Sequence, residues 1–333
     1  MTRRQRVITI SASAGAAAVA LAIGLIVALT GSSAAPPATA PPPSPARLLS
    51  PFTGEPVPAL GPVLAVKIDN IKQARPSTGL RSADIVYVLP VEGGLSRLMA
   101  VFSSRFPPVI GPVRSAREDD LELLRQFGRP AFAYSGATPH LLPFIHRAPI
   151  VDLYAGLPSV ASSYFRDPKR VAPHNLYGRT AMLLSDASGA SKASDIGFRF
   201  GPPPAGGRGV PSYSVSYPAA SFTFRWSAPA GRWLVWMDGA PALATEGGQL
   251  GGATVIIQYT RITTSRFLEA GSRPPYAVST GSGRAVVLRN GQEFTVRWSR
   301  PSAAAGTTYT LPGGKRMLFA PGQVWVVFAA ATR

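Results

Sequence analysis

The loops between residues 69 and 118 hold the side chains best suited to chemistry. Five of the arginines there, Arg75, Arg81, Arg97, Arg114 and Arg117, are interleaved with Asp69, Asn70, Asp84 and Glu92. They sit in runs rich in Gly, Pro and Ser: Arg75-Pro76-Ser77-Thr78-Gly79-Leu80-Arg81-Ser82-Ala83-Asp84, Glu92-Gly93-Gly94-Leu95-Ser96-Arg97 and Gly111-Pro112-Val113-Arg114-Ser115-Ala116-Arg117. A guanidinium fork grips a phosphate through two parallel charge-assisted hydrogen bonds, and glycine beside it lets backbone amides approach. The pattern therefore points to a phosphate or pyrophosphate site. The carboxylates are of the type that would carry a divalent cation between ligand oxygens, and no other cofactor is implied. The opposing assignment is structural, with the arginines paired to Asp69, Asp84, Glu92 and Glu118.

His174, one of three histidines, follows Pro173 in an irregular segment and precedes Asn175. It is the candidate general acid or base, although loop histidines are more often structural. His140 and His146 are six residues apart on a short helical stretch and do not share a face, so they make a poor metal pair. Ser115 has no base placed near it by sequence and reads as an anion-binding hydroxyl rather than a nucleophile. The absence of cysteine from all 333 residues excludes thiol catalysis, disulfide staples and Cys-bound metal.

The elements that must carry these loops read as mixed α/β over residues 51–200. Val63 to Asp69 is a buried strand ending at Asp69 and Asn70, and Ile85 to Val91 pairs with Arg97 to Ser103 through Glu92-Gly93-Gly94. Helices are expected over Glu118 to Phe127, with acids in the first turn and Gly128 as a stop, over Pro139 to His146 and over Thr180 to Asp186, with a strand at Ala131 to Tyr134. The breaker run Gly201-Pro202-Pro203-Pro204-Ala205-Gly206-Gly207 opens a linker over residues 201–211. Residues 212–333 read as an all-β sandwich or partial barrel. Phe222, Phe224 and Trp226 alternate, and Asn290-Gly291 is a type I′ hairpin signal. All five tryptophans lie in this half. Trp233 and Trp236 are three apart, so one of them must leave the buried face.

Charge and the first fifty residues fix the setting. Lys and Arg number 34 against 16 acidic residues, a net charge of +18 that attracts polyanions. Arg3, Arg4 and Arg6, a cytoplasmic stub over residues 1–6, precede 24 uncharged residues from Val7 to Thr30. At about 1.5 Å per residue these span a hydrocarbon core of about 30 Å, so 7–30 reads as a transmembrane signal-anchor. Ser32-Ser33-Ala34 keeps a cleaved signal open as the alternative. A Pro- and Ala-rich linker over 31–50 then leads to a body outside the cytoplasm, which makes the membrane and an anionic envelope glycan or lipid-linked phosphate the expected partners and leaves no role for nucleic acid.

At the same residues the chain resembles the exported YerB-like proteins of Gram-positive bacteria, often lipoproteins, whose function is not established. The resemblance runs through Ile68-Asp69-Asn70, Ala74-Arg75-Pro76, Gly79-Leu80, Ala83-Asp84-Ile85-Val86-Tyr87, Glu92-Gly93-Gly94, Arg97, Gly111 to Arg117, and Arg166-Asp167 through Ala172-Pro173-His174-Asn175-Leu176-Tyr177, with a weaker stretch at Pro321-Gly322-Gln323-Val324-Trp325. It implies two domains and an extracytoplasmic place, and it carries over no catalytic residue. The chain departs from the pattern in having no lipidated cysteine, and in placing Val88 where many relatives have an acid. Arg81-Ser82-Ala83-Asp84 with Arg114 and Arg117 about 30 residues on also resembles the arginine pattern of LytR-CpsA-Psr cell-wall transferases, although Ala83 is inserted and Glu118 stands where that pattern has Asp. Three readings follow: a membrane-anchored binder of an anionic, phosphate-bearing envelope ligand, an envelope phosphotransferase or hydrolase, and a noncatalytic protein-interaction module.

Overall fold

The structure is a computed structural model and describes residues 47–269 and 271–331. The cytoplasmic stub, the anchor over 7–30 and nearly all of the 31–50 linker lie outside the described residues. Among the described residues no helix is long and apolar enough to cross a membrane.

Three strands lead the fold, β1 (Leu64–Ile68), β2 (Ile85–Pro90) and β3 (Ser96–Phe102), and every residue in them is buried. β3 lies between the other two and runs antiparallel to both. A strand buried on both faces needs apolar residues at consecutive positions, which is how these runs were legible. The helix α1 (Glu118–Leu124) carries Glu118, Asp119 and Asp120 in its first turn, and the Asp120 carboxylate accepts the Arg117 amide at 2.7 Å, satisfying a helix-end donor. The chain continues through Ala131–Tyr134, parallel to β1, to α2 (Leu142–His146), Val151–Tyr154 and α3 (Thr180–Asp186).

The main sheet takes strands from both sides of the 201–211 linker, and the described residues form one compact unit. The sheet has 11 strands, and Val324–Ala330, the last strand of the chain, runs parallel to β2 on one side and to Thr254–Thr260 on the other. β2 has β3 along one edge only, so its other row of backbone groups needs a partner, and the chain's final strand supplies it. Beyond Thr254–Thr260 the sheet continues through the hairpin Gly281–Arg289 and Gln292–Arg300. A second sheet of five strands, built from residues 212–252, presents Phe222, Phe224, Trp233 and Val235 to the face bearing Val66, Val88 and Trp325. The opposite face packs Ala65, Tyr87 and Val101 against Leu123, Leu124 and Phe127. The protein is thus rich in β-structure throughout. Its first half owes its α/β reading to helices only 5 to 7 residues long.

Local signals hold in the second half. Asn290 and Gly291 both adopt positive φ, 49° and 73°, and turn Arg289 back onto Gln292 as a type I′ hairpin requires. Trp233 is fully buried, while Trp236 leaves the core and lies under the Arg225 guanidinium at 4.4 Å.

Period-two alternation on β1 sends Leu64, Val66 and Ile68 to one face and Lys67 to the other, beneath α1. There its ammonium meets Asp120 at 2.6 Å, with both side chains fully buried. A buried ammonium persists only with such a partner.

Candidate functional site

The end of β1 is where the sequence candidates meet. Past Ile68 the chain is flanked by residues 110–116, since the Asp69 amide donates to Pro112 O at 2.9 Å and the Arg114 amide to Lys67 O at 2.8 Å. The same segment draws in the His174 loop, the Val113 amide donating to Leu176 O at 2.6 Å. Asn175 holds that loop: its Oδ1 accepts from Arg166 at 2.7 Å, and its Nδ2 donates to Asp167 O and Arg170 O. Three segments far apart in sequence therefore converge on Asp69.

Asp69 is 2% exposed, and its Oδ2 lies 2.7 Å from His174 Nδ1 and 3.1 Å from Arg114 Nε. With Nδ1 held by a carboxylate, the imidazole presents Nε2 as its free proton-handling nitrogen. His174 and Arg114 remain partly open to solvent, their side chains 16% and 24% exposed. Among the five candidate arginines Arg114 alone has both terminal guanidinium nitrogens without a protein partner within the described residues, its Nε facing Asp69. This corner can orient an imidazole and offer two guanidinium donors to an incoming anion.

Glu92, Arg97 and Arg117 form a neighbouring, tighter cluster. Glu92 receives Arg97 Nη2 at 3.0 Å and Arg117 Nε at 2.9 Å, while Arg97 Nη1 donates to Ser115 O. Burial alone would raise the Glu92 carboxyl, but the hydrogen bond from Arg117 and the charges of Arg97 and Arg117 hold it down at about 2. Burial lowers Arg97 to about 10, and Arg117 and Arg114 push it the same way. These two guanidiniums are committed to protein acceptors.

The remaining candidates serve elsewhere. Arg75 donates to Asp238 at 2.8 Å and to Asn70 O at 2.6 Å, and Arg81 donates to Gly247 O, so both tie the 71–84 loop to the 212–252 sheet. Asn70 donates to Ser96 Oγ. Asp84 is buried beyond the far end of β3, accepting the Ser103 and Ser104 amides, and burial raises its carboxyl to about 6. Ser115 lies 3.5 Å from Ser135 Oγ and has no base beside it. His146 pairs with Asp152, away from this corner. Among the described residues no group of three or more His, Asp or Glu side chains is placed to hold a metal ion.

Sequence reasoning missed four supporting residues. Lys67 and Asp120 anchor the segment bearing Arg114 and Arg117, and a lysine inside an apolar strand followed by three acids at a helix start was the available signal. Arg170 donates to Ala74 O at 2.9 Å and Pro76 O at 2.6 Å and so clasps the Arg75 loop to the His174 loop. Arg166 fixes Asn175, and no spacing rule announces either arginine.

Comparison with known proteins gives consistent matches. Residues 52–194 match the N-terminal domain, and 213–326 the C-terminal domain, of the family described as Protein of unknown function (DUF3048). A protein of Bacillus subtilis (strain 168) named "Putative lipoprotein YerB" is 36% identical over 135 residues, 39% of this chain, and the match spans 40% of that relative's length. The crystal structure of YerB from Bacillus subtilis superimposes with a TM-score of 0.72 at 22% identity, over 86% of this chain and 97% of that one, which establishes a shared fold.

Proposed function

Because the chain belongs to the DUF3048 family, which is described as being of unknown function, its role has to be argued from its own residues, and we propose that it binds an anionic, phosphate-bearing ligand of the cell envelope at the Arg114–His174 corner. One observation carries this reading: Arg114 and His174 are both held by the buried Asp69, and the two terminal nitrogens of Arg114 and Nε2 of His174 have no protein partner among the described residues. The surroundings support it, since the net charge of +18 favours polyanions. The relative's name as a lipoprotein supports an envelope location, and we read the arginine-flanked uncharged segment over 7–30 as a single N-terminal span that holds the body on the outer side of the membrane. Calorimetric titration with inorganic pyrophosphate tests the site. Arg114→Lys keeps the charge but loses the fork, and affinity falls about ten- to a hundredfold, the equivalent of about 1.5–3 kcal/mol for a charge-assisted hydrogen bond. Equal binding by wild type, Arg114→Lys and Arg114→Ala rejects the site.

The Asp69–His174 pair favours a second reading, that of a phosphotransferase or hydrolase. A carboxylate-held imidazole with Nε2 exposed is the arrangement that takes a proton from an attacking hydroxyl or water. If turnover occurs, His174→Gln abolishes it while pyrophosphate binding survives. Loss of neither property leaves the imidazole without a catalytic role.

A further inference from the structure

A cavity of about 340 Å³ opens between the Lys72–Ser77 loop and the hairpin that follows the Arg232–Met237 strand. That volume is near the lower end of the range for small-ligand sites, about 300–1,000 Å³. Its floor is apolar, made by the buried Met237, Ala242 and Leu250. At the side stands Leu243, 53% exposed, a large apolar residue that the fold leaves in water. The rim carries one uncompensated positive charge: the exposed Lys72 ammonium has no hydrogen-bond or ion-pair partner among the described residues, while Arg75 on the same wall is paired with Asp238, which also lines the cavity.

Arg75 adds an unsatisfied donor. Its two terminal nitrogens are bound to Asp238 and to Asn70 O, yet its Nε is buried without a partner among the described residues. The rim is also fastened to the anion corner from two sides. Arg75 holds the carbonyl of Asn70, the residue after Asp69, and Arg170 of the His174 loop holds Ala74 O and Pro76 O.

From this combination of an apolar floor, an exposed leucine and a free ammonium, we infer that the cavity takes the single apolar chain of an amphiphilic phosphate, with its head group at the Lys72 rim. A glycan would find no apolar complement to an exposed leucine over a methionine and leucine floor, whereas an alkyl or prenyl chain removes that surface from water. The inference sharpens the envelope-ligand reading by naming a lipid-like phosphate, and it rests on residues other than Arg114 and His174.

The test is a titration series of methyl, butyl and octyl phosphate, run below micelle formation alongside inorganic pyrophosphate. Affinity rises about three- to fourfold per methylene until the cavity is full, as burial of about 0.8 kcal/mol per methylene requires. Leu243→Asn flattens this dependence, and Ala240→Trp, at an exposed lining position, abolishes it by filling the space. Lys72→Ala weakens octyl phosphate several-fold. All three variants bind pyrophosphate as wild type does. Affinity that is independent of chain length, or a gain that survives both Leu243→Asn and Ala240→Trp, overturns the inference. Pyrophosphate binding without a chain effect rejects the cavity and keeps the Arg114 corner, and a chain effect without pyrophosphate binding does the reverse.

Discussion

Replacing Asp120 with Asn tests how the segment bearing Arg114 is held. Asp120 is fully buried and accepts Lys67 Nζ at 2.6 Å and the Arg117 amide at 2.7 Å, so the substitution keeps the shape and strands the Lys67 charge. Removing one partner of a buried ion pair costs about 3–5 kcal/mol. Asp119 moderates that cost. Burial, then repulsion from Asp120, raises its carboxyl, while Lys67 lowers it. Once Asp120 is neutral the repulsion vanishes, and Asp119 ionises more readily and takes over part of the charge of Lys67. The expected loss is therefore near the lower bound, about 3 kcal/mol. At roughly 2–4 °C per kcal/mol for a domain of this size class, scanning calorimetry at neutral pH should show Tm falling by about 6–12 °C. The double change Asp119→Asn with Asp120→Asn removes the substitute and should cost more, while Lys67→Met with Asp120→Leu should recover most of the loss. A drop of less than about 2 °C for Asp120→Asn, or a double Asn variant no worse than the single one, refutes the reasoning.

Glu92 governs acid stability: its folded-state value of about 2 lies below its ordinary 4.5, so its contribution is fully present above pH 4.5 and is lost as pH falls towards 2. That difference is worth at most about 3 kcal/mol, the side chain being 24% exposed. Glu92→Gln should lower Tm at pH 7 and flatten its fall between pH 4.5 and 2, and an unchanged acid profile would count against the cluster. Gly291→Ala places a Cβ where φ is 73° and the Trp226 ring would be 2.9 Å away, so the urea midpoint should drop by the equivalent of about 1–2 kcal/mol at constant m. No shift would mean that the hairpin relaxes freely.

What was legible in the sequence is what local rules decide. Runs such as Leu64–Ile68 and Ile85–Pro90 announce buried strands, and Trp233 and Trp236 part company because side chains alternate with period two. Asn290-Gly291 has to turn as it does because both positions need positive φ. The partners of the arginines were not legible. Arg75 finds Asp238 and Asp69 finds His174 across 163 and 105 residues, and such contacts follow from how the sheet closes rather than from spacing. The parallel pairing of β2 with Val324–Ala330 is equally remote, and it is why a linker that reads as a domain boundary is bridged by one sheet. Of the eleven candidate site residues, Asp69, Arg114 and His174 form the corner and Asn175 supports its loop. Glu92, Arg97 and Arg117 bind one another beside it, and Asn70, Arg75, Arg81 and Asp84 bind other parts of the protein.

The most direct test of the anion site is to locate an anion in it. Crystals of the body soaked in thiopyrophosphate, whose sulfur scatters anomalously, should show the ligand within about 2.7–3.2 Å of the Arg114 terminal nitrogens and His174 Nε2, with Asp69 still on Nδ1. The signal should vanish in crystals of Arg114→Ala. Anomalous density elsewhere on the protein, or an Arg114–His174 corner that stays empty while the ligand binds in solution, contradicts the account.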